Sequence, residues 1–355
     1  MAMRVLIIGT GLVGSSLGMA LTHAGADVQL ADLNPSHARV AAGLGAGRVV
    51  TEPEPVDVVV AASPPETIAD VVLGALDHHP EAVVTDVGSV KASIARAVEA
   101  ASPHAARYVP SHPMAGSQLT GPLTASADLF RDRTWVITPT GHNSQQHVDV
   151  VRELARLAGS HLVELDADLH DEAVAQVSHV PHLMSILTAS HLRGVPGENL
   201  RLAGQGIRDV TRIAGSDPGL WRQIITTNAA AIRRELREVA ADLEYLIGVL
   251  DQGDQLEAFL RLGQHGAQAL RGKHGQEPLD VAVVTVEIPD EPRSLTRLFT
   301  DVGDLGHNVE DFELNHDAVR EVGYLSISVE RPKAERFCDS LIERGWRAWL
   351  DREAL

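Results

Sequence analysis

The chain reads as an α/β protein in three parts: a doubly wound parallel sheet, then an all-helical segment, then a small α+β unit of βαββαβ order. Three observations predict this. Short apolar runs alternate with helical stretches over the first 165 residues, no alternating apolar run occurs between Asp166 and about Gly272, and β-branched runs return only beyond residue 280. A length of 355 residues suits two or three domains, each able to bury its own core.

Arg4–Ile8 is the first strand, followed by a glycine turn and a helix over Leu12–His23. Asp27–Ala31, Asp57–Ala61 and Ala82–Thr85 supply the next strands, with helix-like sequence between them, which is the spacing of parallel crossovers. Arg107–Val109, Thr134–Thr138 and His161–Leu165 extend the sheet, so the first domain is expected to cover 1–165. The second domain is expected over 166–275, with Trp221–Val249 as one long helix whose Arg233, Arg234, Glu235, Arg237 and Glu238 form a solvated face. Arg271–Pro278, polar with two glycines and a proline, reads as a linker. In the third domain, 280–355, strands are expected at Asp280–Ile288, Asn308–Asn315, Val322–Glu330 and Trp346–Leu350, with helices at Ser294–Leu305 and Lys333–Arg344.

Composition narrows the function classes. With 48 acidic against 30 basic side chains the formal net charge is −18, which disfavours nucleic acid and anionic membranes as partners. No apolar run approaches a membrane span, and Met1 leads into a strand rather than a signal peptide. Cys338 is the only cysteine, which leaves no intrachain disulfide and no cysteine-based zinc cluster. The expectation is a soluble cytoplasmic protein. The 17 histidines make any one of them weak evidence without its neighbours. His179 and His182 stand at i,i+3, but no third ligand recurs at coordinating spacing, so no metal site is expected.

Gly9-Thr10-Gly11-Leu12-Val13-Gly14 is a G-x-G-x-x-G turn that follows a strand and opens a helix, the context in which it binds a dinucleotide. Gly9 allows the tight turn, Gly11 lets the backbone approach the pyrophosphate, and Gly14 lets helix and strand pack closely. The pyrophosphate then rests on free N–H groups at the helix start. Asp32 stands 18 residues beyond Gly14, where a carboxylate bonds the ribose 2′-hydroxyl and repels a 2′-phosphate. NAD is therefore expected, in a Rossmann-type domain, with Ser63 and Asp86 joining the cofactor-facing set.

Three further clusters bear on chemistry. Asp86-Val87-Gly88-Ser89-Val90-Lys91 and Ser111-His112-Pro113-Met114-Ala115-Gly116-Ser117-Gln118 follow strands, hence the carboxyl edge of the sheet where ligands bind. Gly204-Gln205-Gly206-Ile207-Arg208-Asp209-Val210-Thr211-Arg212 lies in the helical part and could face that edge. A neutral histidine is a suitable acceptor for the proton of a hydroxyl whose carbon loses hydride. Arginine clamps a carboxylate bidentately where lysine cannot. Ser89 also reads as the N-cap of the following helix, since Ser-Val-Lys-Ala starts one well.

In this order, GxGxxG, DVGSVK, HPMAGS, SHVPH and R-D-x-T-R resemble the prephenate/arogenate dehydrogenases of tyrosine biosynthesis over roughly residues 1–275. The resemblance implies NAD⁺-dependent oxidative decarboxylation of prephenate to 4-hydroxyphenylpyruvate, with arogenate as the alternative substrate. It implies His112 as base and Ser89 as its partner at the substrate hydroxyl or the nicotinamide edge. It further implies Arg212, Arg208, His182, Gln118 and Trp221 around the substrate, and a homodimer built on the helical domain. An NAD-sensing protein without turnover is the rival of another class, and the joint presence of Ser89, His112 and Arg212 argues against it. Many relatives carry glutamate where this chain has Gln118, which can hydrogen-bond but not neutralise a cation. The tail resembles an ACT domain, which implies tyrosine as an effector. Arg293 occupies the place where that motif usually has glycine.

Overall fold

The computed structural model describes residues 2–52, 54–116, 119–270, 281–289, 291–306, 309, 311–317 and 322–351. Five parallel strands, β1 (Arg4–Ile8), β2 (Asp27–Ala31), β3 (Arg48–Val49), β4 (Val58–Ala61) and β5 (Val83–Asp86), lie in the order β3-β2-β1-β4-β5. Helices α1 (Leu12–His23), α2 (Pro35–Gly43) and α3 (Ile68–His78) form crossovers, and α4 (Ala92–Ala101) follows β5. Alternation along β1 divides the core: Val5 and Ile7 pack with Leu17 and Leu21 of α1, whereas Leu6 joins Ile68, Val72 and Leu76 of α3. β4 is buried along its whole length, as a central parallel strand requires. The two-residue β3 is too short to leave an apolar pattern.

A second sheet contains β6 (Ser111–Pro113), β7 (Thr134–Ile137) and β8 (His161–Glu164), with α5 (Gln145–Leu157) between the last two. β6 runs antiparallel to β7, and β7 parallel to β8. The strand expected at Arg107–Val109 is corrected here. Residues Ala105–Arg107 form a short 3-10 turn, and only Tyr108 bridges to Val84. The cause is Arg107, whose guanidinium donates to the carbonyls of Leu76, His79 and Ala82 and so fastens the segment to the end of α3. Pairing resumes three residues later, which puts His112 within β6 rather than in a loop.

The helical part comprises α6 (Ala167–Val174), α7 (Val180–His191), α8 (Gly197–Leu200), α9 (Gln205–Thr211), α10 (Pro218–Thr227), α11 (Ala229–Val249) and α12 (Gly253–Ala269). The long helix expected over Trp221–Val249 is broken at Asn228, which leaves helical geometry at φ −106° and ψ 24°. Its amide donates to the Asp171 carbonyl at 2.8 Å and faces His179 Nδ1 at 3.2 Å. Between α6 and α7, Ala175–His179 is a widened π turn. It precedes Pro181, which lacks an N–H and crowds the carbonyl four residues back, so a wider turn relieves both faults.

The described chain falls into two compact units, residues 1–244 and 245–355. The second contains β9 (Val281–Pro289), α13 (Ser294–Asp304), β10 (Asp311–Asp317), β11 (Val322–Glu330), α14 (Arg331–Glu343) and β12 (Arg347–Leu350). Its antiparallel sheet has the order β10-β11-β9-β12, over a core of Val284, Val286, Leu298, Leu325, Phe337 and Leu341. Arg293, at the turn into α13, adopts the left-handed conformation at φ 76° that glycine would take without strain.

Candidate active site

Gly9 follows β1 at φ 104°, and a Cβ there would strike the Ala62 carbonyl. A Cβ on Gly14 would strike the Gly9 carbonyl, so helix and strand meet more closely than any side chain permits. Leu12 is buried and Val13 packs against the core, which leaves the backbone of these two residues to face a ligand. Above Gly11 the space is open, since a Cβ there would meet nothing within 4 Å. Thr10 donates its N–H and its hydroxyl to Asp32 Oδ2 at 2.7 and 2.8 Å, and Asn34 N–H donates to Oδ1 at 2.7 Å. Burial would raise the Asp32 pKa, but these hydrogen bonds outweigh it and hold the carboxyl below its ordinary range. Ser63 Oγ is sealed from water and has no hydrogen-bond partner among the described residues. An open helix start, an ionised acid at the end of β2 and an unpartnered buried hydroxyl fit a bound dinucleotide.

Asp86, expected to face the cofactor, is fully buried instead. Its Oδ1 accepts from the Tyr108 hydroxyl at 2.8 Å and from Ser111 N–H at 3.3 Å. Its Oδ2 accepts from Gly88 N–H and from the Lys91 ammonium. Lys91 is also fully buried and donates to the Ser111 carbonyl at 2.7 Å, so this ion pair anchors β6 to the end of β5. Desolvation lowers the Lys91 pKa and raises that of Tyr108.

His112 is thereby held half-buried beside the carboxyl end of the parallel sheet. Its Nδ1 lies 2.9 Å from His170 Nε2, and His170 Nδ1 lies 2.8 Å from Asp171 Oδ1. Asp171 also accepts from Lys91 N–H at 2.8 Å and Ala92 N–H at 2.9 Å, and so caps α4 from a distant helix. That corrects the expected cap: the helix starts at Ala92, and Ser89 is left half-buried with no hydrogen bond among the described residues. Burial, then the fields of His170, Lys91 and His179, push the His112 pKa well below its ordinary value, so the ring is neutral at physiological pH.

The far wall comes from the helices. His182, buried on α7, stacks flat on Trp221 with ring centres 3.4 Å apart, and His179 meets the same indole edge-on at 6.1 Å. Burial pushes the His179 pKa down to about 4 and lowers that of His182. Arg222 pairs with Glu66 at 3.0 Å and ties α10 to the turn after β4. Ser185 of α7 donates to the Val210 carbonyl at 2.7 Å and anchors α9. Arg208, on α9, and Arg212, at its end, are exposed and make no ion pair among the described residues. Asp209 does not engage them; it accepts from Gln205. Gln118 lies outside the described residues. Sequence reasoning missed His170, Asp171 and Asn228. The adjacent His170-Asp171 pair, nine residues before His179, was the available signal.

A dinucleotide seat beside a neutral histidine suits removal of hydride from a hydroxyl-bearing carbon, which makes this an NAD-dependent dehydrogenase. The relatives name the kind. Residues 17–164 match the nucleotide-binding domain of prephenate dehydrogenase, and 166–263 match its dimerization domain. A Streptomyces niveus protein named "Probable prephenate dehydrogenase NovF" is 33% identical, over 96% of this chain and 98% of its own. Prephenate dehydrogenase from A. aeolicus, solved in complex with hydroxyphenyl propionate and NAD⁺, is 25% identical. It superposes with a TM-score of 0.70 over 76% of this chain and 99% of that one. Synechocystis arogenate dehydrogenase, also 25% identical, gives 0.62 over 75% and 98%. The chain belongs to the prephenate dehydrogenase family.

Proposed function

We propose that this protein oxidatively decarboxylates prephenate to 4-hydroxyphenylpyruvate with NAD⁺. The observation that carries the reading is His112, neutral and half-buried at the sheet edge that also holds the dinucleotide turn. NAD⁺, when bound, supplies the hydride acceptor; Gly9, Thr10, Gly11, Leu12, Val13 and Gly14 offer it backbone, with Asp32 at the ribose and Ser63 as a hydroxyl with no partner among the described residues. His112 takes the proton of the 4-hydroxyl as hydride leaves that carbon, and returns it to the phenol oxygen once CO₂ loss has made the ring aromatic. Ser89, whose hydroxyl has no hydrogen bond among the described residues, shares that oxygen. Arg212 and Arg208, with no ion pair among the described residues, hold the substrate carboxylates against a chain of charge −18. His182 and Trp221 wall the ring. Incubation with NAD⁺ and either prephenate or arogenate, followed by NADH absorbance and CO₂ release, tests this. Prephenate turnover is expected, arogenate turnover alone moves the substrate, and no NADH from either rejects the reading.

The working molecule in this reading is a cytoplasmic homodimer divided into 1–165, 166–275 and 280–355. No helix among the described residues is long and apolar enough to cross a membrane. Tyr245, Ile247, Leu250, Leu260 and Leu262 are exposed apolar side chains on and between α11 and α12, a surface that a second copy would cover. The C-terminal unit is read as an ACT-like module that binds tyrosine. A 340 Å³ hollow lined by Phe299, Val302, Val309, Asp311, Phe312 and Ile327 supports a ligand role there.

A further inference from the structure

We propose that His170 and Asp171 are the positioning pair that fixes His112 Nε2 as the basic atom, so that one ring and one carboxylate from α6 select the tautomer of a base carried by β6. This deepens the dehydrogenase reading above and rests on it. An ionised Asp171 can only accept, and it does so from three N–H groups: His170 Nδ1, Lys91 N and Ala92 N. The proton of a neutral His170 therefore sits on Nδ1, and its Nε2 presents a lone pair. That lone pair lies 2.9 Å from His112 Nδ1, so a neutral His112 must carry its own proton on Nδ1. Its Nε2 is left bare, and that is the nitrogen a substrate hydroxyl can reach.

A free histidine side chain in water prefers the opposite tautomer, with the proton on Nε2, and that nitrogen could not then accept from the hydroxyl. The pair thus holds His112 in its less favoured, competent form, and the same chain of bonds supports the ring when it gains a proton. The geometry is rigid for its purpose. His170 is 1% exposed, Asp171 is buried beneath the start of α4, and the Asp171 carbonyl is held in turn by Asn228. The two rings meet edge to face at 78°, with the facing nitrogens 2.9 Å apart. His170 is a positioning residue: it acts on substrate only through His112.

The test uses the full chain carrying His170→Phe, His170→Gln or Asp171→Asn. In the wild type without ligands, ¹⁵N spectra of the imidazoles should show His112 protonated at Nδ1 and bare at Nε2. His170→Phe fills the space without a lone pair, and should move that signal towards the Nε2–H form. It should lower kcat roughly 10²-fold, at the lower end of what losing a general base costs, with KM and NAD⁺ affinity near wild type. His170→Gln can place a carbonyl oxygen where Nε2 stood and an N–H towards Asp171, so it should recover part of both the tautomer signal and kcat. Asp171→Asn gives the second measurement should the phenylalanine variant fold poorly. It keeps the shape and an acceptor for the α4 cap, and should lower kcat with KM unchanged. Groups facing His112 are His170 and Asp171 from α6, Lys91 with its partner Asp86, and His179. The acid limb of kcat/KM should shift in the His170 variants, whose change alters that set. A His112 tautomer unchanged in His170→Phe, or wild-type kcat in that variant, overturns the proposal while leaving the dehydrogenase reading intact. Absence of wild-type turnover would instead overturn the reading on which it rests, and the tautomer measurement would still report on the pair.

Discussion

Replacing Lys91 by methionine removes the cation from a fully buried ion pair at the junction of β5 and β6. Breaking a buried pair by deleting one partner costs about 3–5 kcal/mol, because the other charge is left uncompensated. Asp86 would keep the Tyr108 hydroxyl, Gly88 N–H and Ser111 N–H as donors, which places the loss near the lower bound, about 3 kcal/mol. The Ser111 carbonyl would also lose its only charged donor, worth about 1 kcal/mol more. Spread over a cooperative unit of 244 residues, about 4 kcal/mol lowers Tm by roughly 8–16 °C. Thermal unfolding followed by circular dichroism measures it, and Lys91→Met combined with Asp86→Asn should be less damaged than Lys91→Met alone. The change has a catalytic signature as well. Lys91 is one of the charges holding the His112 pKa below its ordinary value, and only the neutral ring can act as base. In wild type the acid limb of kcat/KM therefore lies well below the ordinary histidine range, and in Lys91→Met it should move to higher pH. A Tm within about 3 °C of wild type would refute the energetic argument, and an unmoved acid limb the electrostatic one.

His112→Asn should bind NAD⁺ normally yet lose about 10²–10⁴-fold in kcat, measured by NADH formation; near-normal kcat would remove it as the base. Arg212→Ala should raise KM for the substrate more than it changes kcat, since a carboxylate clamp acts in ground and transition states alike; the reverse pattern gives the arginine another task. Asp32→Ala should narrow the preference for NAD over NADP, with some loss of order at Thr10, whose two hydrogen bonds it holds; an unchanged cofactor ratio would mean the acid points away from the ribose. Deleting residues 280–355 should leave turnover and abolish inhibition by tyrosine; equal inhibition of the shortened chain would assign tyrosine to the active site.

The parallel sheet was legible because strand and glycine-turn signals are local: β1, the tight turn at Gly9 and the start of α1 all follow from neighbours a few residues away. His112 stood out in the sequence within its motif, but its structural setting did not. Its strand is three residues long, and Arg107 pins the more strand-like segment before it to α3. Asp86 misled because a carboxylate at the end of a parallel strand ordinarily faces a ligand, and nothing local reveals that Lys91 and Tyr108 will close over it. The break at Asn228 was hidden for the same reason, since its cause is the Asp171 carbonyl, 57 residues away in sequence. His170 and Asp171 stand out in the sequence only as an adjacent pair. Their importance exists only once α6 lies against β6.

Asp171 has a consequence for how this molecule tolerates change. One carboxylate both closes the N-terminus of α4 and steadies the histidine that meets His112, so the crossover of the sheet and the alignment of the base stand or fall together. A fragment ending at residue 165 would retain the whole dinucleotide turn and His112, and would still lack the part that tells His112 which nitrogen to offer. Substitutions at His170 and Asn228 should accordingly surface as faults of reaction rate in proteins that still fold and still take up their cofactor, whereas loss of the Asp171 carboxylate should loosen the start of α4 as well. Inheritance at those positions is then governed by the chemistry of a strand they do not belong to.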